Sequence, residues 1–413
     1  MSGETALLSS APVMKAAAAG AAAGPIVDVG AFSVAVTSRI ADVEAVWRQL
    51  EAAGVESPGQ SYDFIRLWVR ERAVPERDQL YLVGSVGSVP VALMALQRRT
   101  AFGVRVLTWF PGTHVGCHAP LVDRQRLAAL GSEGRRAFWR ALTAKIADAD
   151  VVYLRAVPAE SEGHDGTFDE LGRAVAVDTL YRARFASWEE CDRIQRSRSR
   201  RKHDRQQGER LSAMGEVAFA EMRNGDDVDQ ALSTMFRQRS ARFKQMGIRD
   251  IFALNNFAGF YRAALRTDSH VDVRLHVLQL DGQIVATRYN IVHGERMFCL
   301  ISSMSDDQAI QSGSPGKQCL LRVMQTVFDA GIRIFDMGAG FTDEKRHWCN
   351  EQTVLRQHYV ALTWRGRLAV AAHERFQTTR AWIKADRRFI SLRRSLGRIL
   401  HRKSWQSGEV DPG

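Results

Sequence analysis

Three short apolar, β-branched runs at 80–86, 89–96 and 104–110 are separated by the dipeptides Gly87-Ser88 and Phe102-Gly103. That alternation predicts an antiparallel meander. Gly131-Ser132-Glu133-Gly134-Arg135 then opens a stretch with Phe138, Leu142 and Ile146 four residues apart, one face of a helix, and Asp150 leads into an apolar run at 151–157. The second half repeats the order. Apolar runs at 273–280, 284–292 and 297–303 flank Asp281-Gly282 and His293-Gly294, and a helix over 314–330 precedes a strand over 332–337. The match extends to residues, because Gly313-Ser314-Pro315-Gly316-Lys317 opens the second helix as Gly131 to Arg135 opens the first. The fold class expected is α/β of the α+β kind. It has two tandem lobes, each a mixed, mostly antiparallel sheet flanked by helices, with one strand parallel to its neighbour after the crossover helix.

Between the lobes, 193–211 is polar, Arg-rich and helical in pattern. Beyond it we expect a strand at 217–221, helices at 226–246 and 255–267, and a closing strand at 360–364. From 368 to 400, Phe376, Trp382, Ile383, Phe389, Ile390, Leu396, Ile399 and Leu400 form the stripe of an amphipathic helix whose other face is basic.

Composition narrows the picture. The chain has 413 residues, 45% of them apolar, enough for two lobes with a sizeable core. No apolar run reaches the roughly 18 residues that a membrane span needs. Five cysteines at 117, 191, 299, 319 and 349 make no fully paired framework and point to a reducing, cytoplasmic setting, peripheral to the inner membrane if the C-terminal helix docks there. The first 30 residues are Ala- and Gly-rich around a lone Lys15, which suits a disordered tail better than an export signal. A net charge of +11 raises nucleic acid or anionic membrane as partners, but its distribution argues otherwise. The stretches 193–210 and 374–403 carry +6 and +8, so the rest of the chain is slightly acidic. The boundaries expected are a tail at 1–30, an N-terminal lobe at 31–190, a basic helical connector at 191–215, a C-terminal lobe at 216–366 and a basic amphipathic helix and tail at 367–413.

A Gly-rich turn at a helix N-terminus offers backbone N–H donors and a favourable dipole end to a diphosphate. Gln311, Ser312, Gly313, Ser314, Gly316 and Lys317 fit that role, with Ser303 on the strand before them and Pro315 placed where it costs no hydrogen bond. The competing reading is a tight turn with Ser314 as helix cap.

The basic segment 198–210 with Leu211 and Gly215, then Asp281-Gly282 before Ile284-Val285-Ala286, then Ser314-Pro315-Gly316, then Phe335-Asp336-Met337-Gly338 before Lys345 and Trp348, form an ordered set. Over about 193–360 this set resembles the GNAT acyltransferase superfamily, in particular its bacterial cellulose and exopolysaccharide biosynthesis type, which is related to the double-GNAT Fem-type transferases. The chain departs from the family where Glu344, not an aromatic residue, precedes Lys345. The resemblance implies an acyl-CoA N-acyltransferase, with acetyl-CoA or another acyl-CoA as co-substrate and no metal. It implies a sugar, glycan-precursor or small-metabolite amine as acceptor. In the alignment of the two halves Leu154 or Arg155 stands opposite Asp336, so the first lobe is expected to be non-catalytic. The alternatives are a Fem-like transfer from aminoacyl-tRNA, the one setting in which nucleic acid is a partner, and a non-catalytic scaffold docked at an anionic membrane through the C-terminal helix.

Acyl transfer needs a base for the ammonium, an oxyanion donor and a proton for the thiolate. Asp336 is the candidate base or amine anchor, or else a cap for the Gly338-Ala339-Gly340 turn. Lys345 is a candidate for an anionic substrate group or the oxyanion, or else a solvated helix lysine. Arg288 and Asn290 share a strand face and are candidates to line the acceptor cleft, together with Trp348 from the resemblance. Tyr289 between them either packs or protonates the thiolate. His114, Cys117 and His118 fall short of a zinc pattern.

Overall fold

A computed structural model describes residues 32–161, 163–223, 225–247, 250 and 257–385. The tail expected at 1–30 and the basic stretch past 385 lie outside them. The strands in chain order are β1 (Phe32–Thr37), β2 (Gln79–Val86), β3 (Val89–Ala101), β4 (Val104–Thr108), β5 (Leu121–Val122), β6 (Val151–Pro158), β7 (Glu160–Ser161), β8 (His164–Asp165), β9 (Arg173–Arg184), β10 (Val217–Met222), β11 (Asp272–Leu280), β12 (Gln283–His293), β13 (Arg296–Met304), β14 (Ile334–Ala339) and β15 (Glu351–Ala361). Both meanders form, and the strands after the two crossover helices run parallel to their neighbours, β6 to β4 and β14 to β13. The mixed, mostly antiparallel α/β architecture is therefore the one observed.

The lobes are not separate sheets. Twelve strands follow one path, β1-β2-β3-β4-β6-β15-β9-β14-β13-β12-β11-β10, and β5 pairs on β3. β9, from the first half of the chain, pairs with β14 of the second, while β15, from the second half, pairs with β6 of the first. The closing strands have changed places and pair with each other at the centre. This corrects the strand expected at 360–364: the strand ends at Ala361, begins ten residues earlier and belongs beside the first-half strands. Polar side chains hid it. Gln357 and His358 are buried, but Gln357 accepts a hydrogen bond from Tyr153 (3.1 Å) and the His358 ring bonds the Leu171 carbonyl (2.9 Å).

One face of the sheet carries helices Glu44–Glu51, Tyr62–Glu71, Asp226–Gln245 and Phe257–Ala264, whose apolar sides merge into one core across both halves. Phe64 and Trp68 meet Phe260 edge to face there, with ring centroids 5.2 and 4.9 Å apart. On the other face each half keeps its own crossover helix. Gly131–Ala144 buries Phe138, Trp139 and Leu142, and Pro315–Asp329 buries Leu320, Val323, Met324 and Val327. The connector is two helices, Trp188–Gln195 and Arg198–Ser212, because the Ser197 hydroxyl caps a new start by accepting from Arg200 N (3.2 Å). The last described helix, Trp364–Ala385, begins directly after β15. Its inner side meets Tyr359, whose hydroxyl bonds the His373 ring (2.7 Å), while Trp364, Leu368 and Phe376 remain exposed.

Candidate active site

β13 and β14 are bonded to one another over only three residue pairs, Arg296–Phe298 against Ile334–Asp336. Past that point they diverge. The cause lies on the other edge of β13, where Tyr289 faces Ile301 and Asn290 faces Cys299, so Leu300 is an extra residue that bends the strand away. The divergence opens onto a cavity of about 450 Å³ between β13, helix Asp226–Gln245 and the start of helix Pro315–Asp329. Arg288, Ser303, Gln311, Ser314, Gly316 and Lys317 of the expected set line it together.

The turn before the helix is built for close approach. Gly313 packs against Leu211 so tightly that a Cβ would stand 2.9 Å from the Leu211 Cβ, and this contact fixes helix Arg198–Ser212 under the turn. Ser314 sits at φ 50°, a strained conformation for a residue with a Cβ. It occupies the cap position without capping. Its hydroxyl instead accepts from Gln207 Nε2 (2.8 Å), while its carbonyl accepts from the N–H groups of Lys317 and Gln318. Ser303 is held by Thr287 (2.9 Å) and donates to Gln238 Oε1 (2.7 Å), and Gln311 Nε2 donates to the Ser305 carbonyl (3.0 Å). Ser312 and Gly313 do not line the cavity. The Ser312 hydroxyl turns back to the Ala309 carbonyl (2.8 Å), and Gly313 supports from beneath.

The expected catalytic residues are placed elsewhere. Asp336 is buried, with Oδ2 accepting from Arg182 Nε (2.8 Å) and Oδ1 from Gly338 N (2.8 Å). Its carboxylate is committed to an ion pair and to the turn, so the cap reading is the one realised and the base reading is corrected. Lys345 donates to the carbonyls of Gly338 (3.2 Å), Ala339 (2.5 Å) and Gly340 (2.9 Å), and burial pulls its ammonium below the ordinary value. All three of its protons serve the backbone, which leaves none for a substrate. Tyr289 lies fully in the core, its hydroxyl donating to the Tyr261 carbonyl (3.1 Å), and burial drives its pKa well above 10. It packs, and protonates nothing. Asn290 is buried against the His276 ring (2.9 Å), and Trp348 is buried beside Trp188 and Arg196; neither faces the cavity. Cys117 and His118 also part: the thiol donates to the Glu56 carbonyl (3.1 Å) and the ring stacks on Trp109.

Arg288 does reach the site. Its Nη2 donates to Glu344 Oε1 (2.9 Å) and to the Gly316 carbonyl (3.4 Å), and its buried Nε has no hydrogen-bond partner among the described residues. Burial alone would lower its pKa, but Glu344 and the nearby thiols more than reverse that, so the guanidinium stays charged. Glu344 is the one carboxylate among the residues lining the cavity, and Arg239 and Arg242 add cations from the facing helix. Sequence reading missed all three. Glu344 drew notice only as a departure from an aromatic position, and Arg239 and Arg242, three apart, were legible as one helix face. With Arg288 and Lys317 they give the cavity four cations to one anion.

The equivalent helix start in the first half holds a cation that is already paired. Arg135, the counterpart of Lys317, is held by both carboxylate oxygens of Glu170 (2.8 and 2.9 Å).

Residues 198–346 match the family model described as an acetyltransferase (GNAT) domain. No curated protein matches the chain. Among solved structures, the C-terminal domain of a putative lysylphosphatidylglycerol synthetase from Agrobacterium fabrum is 12% identical, with 81% of this chain and 95% of that one covered and a TM-score of 0.49. FemX is 11% identical over 71% and 91%, at 0.48. A tandem GNAT protein from the clavulanic acid biosynthesis pathway is 12% identical over 79% and 98%, at 0.43. Such identities carry nothing about substrate. The match over 198–346 covers the turn, β12, β13, β14 and Glu344, so the similarity to a GNAT acetyltransferase domain lies in the elements that build the cavity.

Proposed function

We propose that the protein is an N-acyltransferase that takes an acyl-CoA, acetyl-CoA in the first instance, into the cavity behind Gln311 to Lys317 and passes the acyl group to an amine. The observation that carries this is the meeting of a helix N-terminus, a diverging strand pair and four cations around one 450 Å³ space. A diphosphate satisfies the N-terminal dipole and the charges of Lys317, Arg239 and Arg242, and the thioester lies toward β13. There the acceptor nitrogen forms the new C–N bond as the C–S bond breaks. The oxyanion is met by Arg288, whose Nε–H is unspent, the ammonium proton passes to Glu344, and the departing CoA thiolate takes its proton from solvent. The acceptor is an amine on a sugar or glycan precursor, the class implied by the resemblance of 193–360 to polysaccharide-associated acyltransferases.

Mass spectrometry of amino sugars and polysaccharide precursors incubated with acetyl-CoA and the protein tests the reading, with free CoA thiol measured in parallel. An acetylated product formed one-for-one with thiol is expected. Thiol release without an amide product, or no turnover with any amine, contradicts it.

A further inference from the structure

Phe102 stands at the tip of the β3–β4 hairpin, its ring as open to water as in an isolated residue, at φ 51° and followed by Gly103 at φ 75°. Two-residue hairpin turns with both positions left-handed ordinarily hold Asn, Asp or Gly, because a bulky side chain is strained there. The β11–β12 turn follows that rule with Asp281 at 48° and Gly282 at 74°. At Phe102 the chain accepts both strain and an uncovered ring.

A second apolar feature lies at the same corner. Trp364 (66% exposed) and Leu368 (63% exposed) lie one turn apart on the outer face of helix Trp364–Ala385. Asp150 joins the two features. It accepts from Arg105 N (2.9 Å) and Nε (3.2 Å), three residues past Phe102, and from the Thr363 hydroxyl (2.9 Å), next to Trp364. Its backbone carbonyl comes so near Gly366 that a Cβ there would stand 1.9 Å from the oxygen. Cations accompany the apolar tips. The Arg365 guanidinium lies over the Trp364 ring at 5.6 Å, and Arg367 and Lys145 are exposed. The carboxylates of the corner, Asp148 and Asp150, are both paired with Arg105.

We propose that this corner docks on an anionic lipid bilayer, with Phe102, Trp364 and Leu368 entering the boundary between headgroups and acyl chains and the Arg and Lys side chains meeting lipid phosphates. Aromatic and aliphatic tips ringed by cations suit that interface. They do not suit a second copy of the chain, which would set the same cations against one another. The proposal is independent of the acyl transfer reading.

The test is co-sedimentation of the full chain with vesicles of phosphatidylglycerol and phosphatidylcholine, and with vesicles of phosphatidylcholine alone. Binding to the anionic vesicles only, weakened by salt, is expected. Phe102→Asn suits the left-handed turn and so keeps or raises Tm, yet it lowers vesicle affinity tenfold or more, as does Trp364→Ser with Leu368→Ser. Three results overturn the proposal: no binding to anionic vesicles, equal binding by these variants, which assigns the contact to residues past 385, or a dimer without lipid that the Trp364→Ser, Leu368→Ser variant converts to monomer.

Discussion

Glu56 faces three guanidinium groups, with Arg182 at 2.7 Å, Arg296 at 3.1 Å and Arg124 at 3.8 Å, and accepts from the Ser161 hydroxyl at 2.7 Å. Burial would raise its pKa, but the charges of Arg182 and Arg296 and the hydrogen bonds from Ser161 and Arg182 bring it down to about 2. The sign for stability follows. Unfolded, the carboxyl titrates near 4.5; folded, it stays ionised to about pH 2. Its contribution, about 3 kcal/mol, is therefore whole above pH 5 and lost as pH falls toward 2. Urea unfolding at pH 3 and pH 6 should show that loss, and Glu56→Gln should remove this part of the slope while costing about 3 kcal/mol at neutral pH through the uncompensated arginines. Arg182 passes the same network to Asp336, so Asp336→Asn belongs with the stability variants. Glu344 is the residue for kinetics. Glu344→Gln should lower kcat about 10² to 10³-fold, measured by thiol release, and lower Tm by a few degrees because it leaves the buried Arg288 without its carboxylate partner.

At the scale of elements, what was legible in the sequence depended on whether burial was apolar. The two meanders, the crossover helices and the parallel strands after them announced themselves through Leu, Val and Phe at regular spacing. β15 and β9 did not, because central strands here bury Gln357, His358 and Arg182 against polar partners. The phosphate-type turn was legible because Gly and Pro at a helix start have few other uses. Asp336 and Lys345 are chemical residue types in plausible places, and only the fold commits their lone pairs and protons to Arg182 and to the Gly338 to Gly340 backbone. Glu344 and Arg288 lie 56 positions apart and become a pair through the fold alone. One element-scale prediction follows from the contact of Gly313 with Leu211. Gly313→Leu should displace helix Arg198–Ser212 from the turn, weaken acyl-CoA binding at least tenfold by titration, and lower Tm by several degrees. Leu211→Ala should cost about 2–5 kcal/mol as a core deletion in urea unfolding.

The whole molecule is one sheet with exchanged closing strands. Each half lacks a strand that the other half provides, so calorimetry should record a single cooperative unfolding transition, and neither 1–190 nor 191–413 should fold alone. Two resolved transitions would contradict the exchange. The basic charge also takes a defined form at this scale. In the connector, Arg196 and Arg200 pair with Asp204, and Arg201 with Asp192, so much of the cluster is neutralised within the fold. The charge that bears on function is local, in the four cations of the second-half cavity, and Arg135 in the first half is already paired with Glu170. Calorimetric titration with acetyl-CoA tests that asymmetry most directly. One site per chain is expected, with an affinity lowered tenfold or more by Lys317→Glu and by Gly316→Glu and unchanged by Arg135→Ala; no binding by the intact chain, or equal affinity in the Lys317 and Gly316 variants, would contradict it.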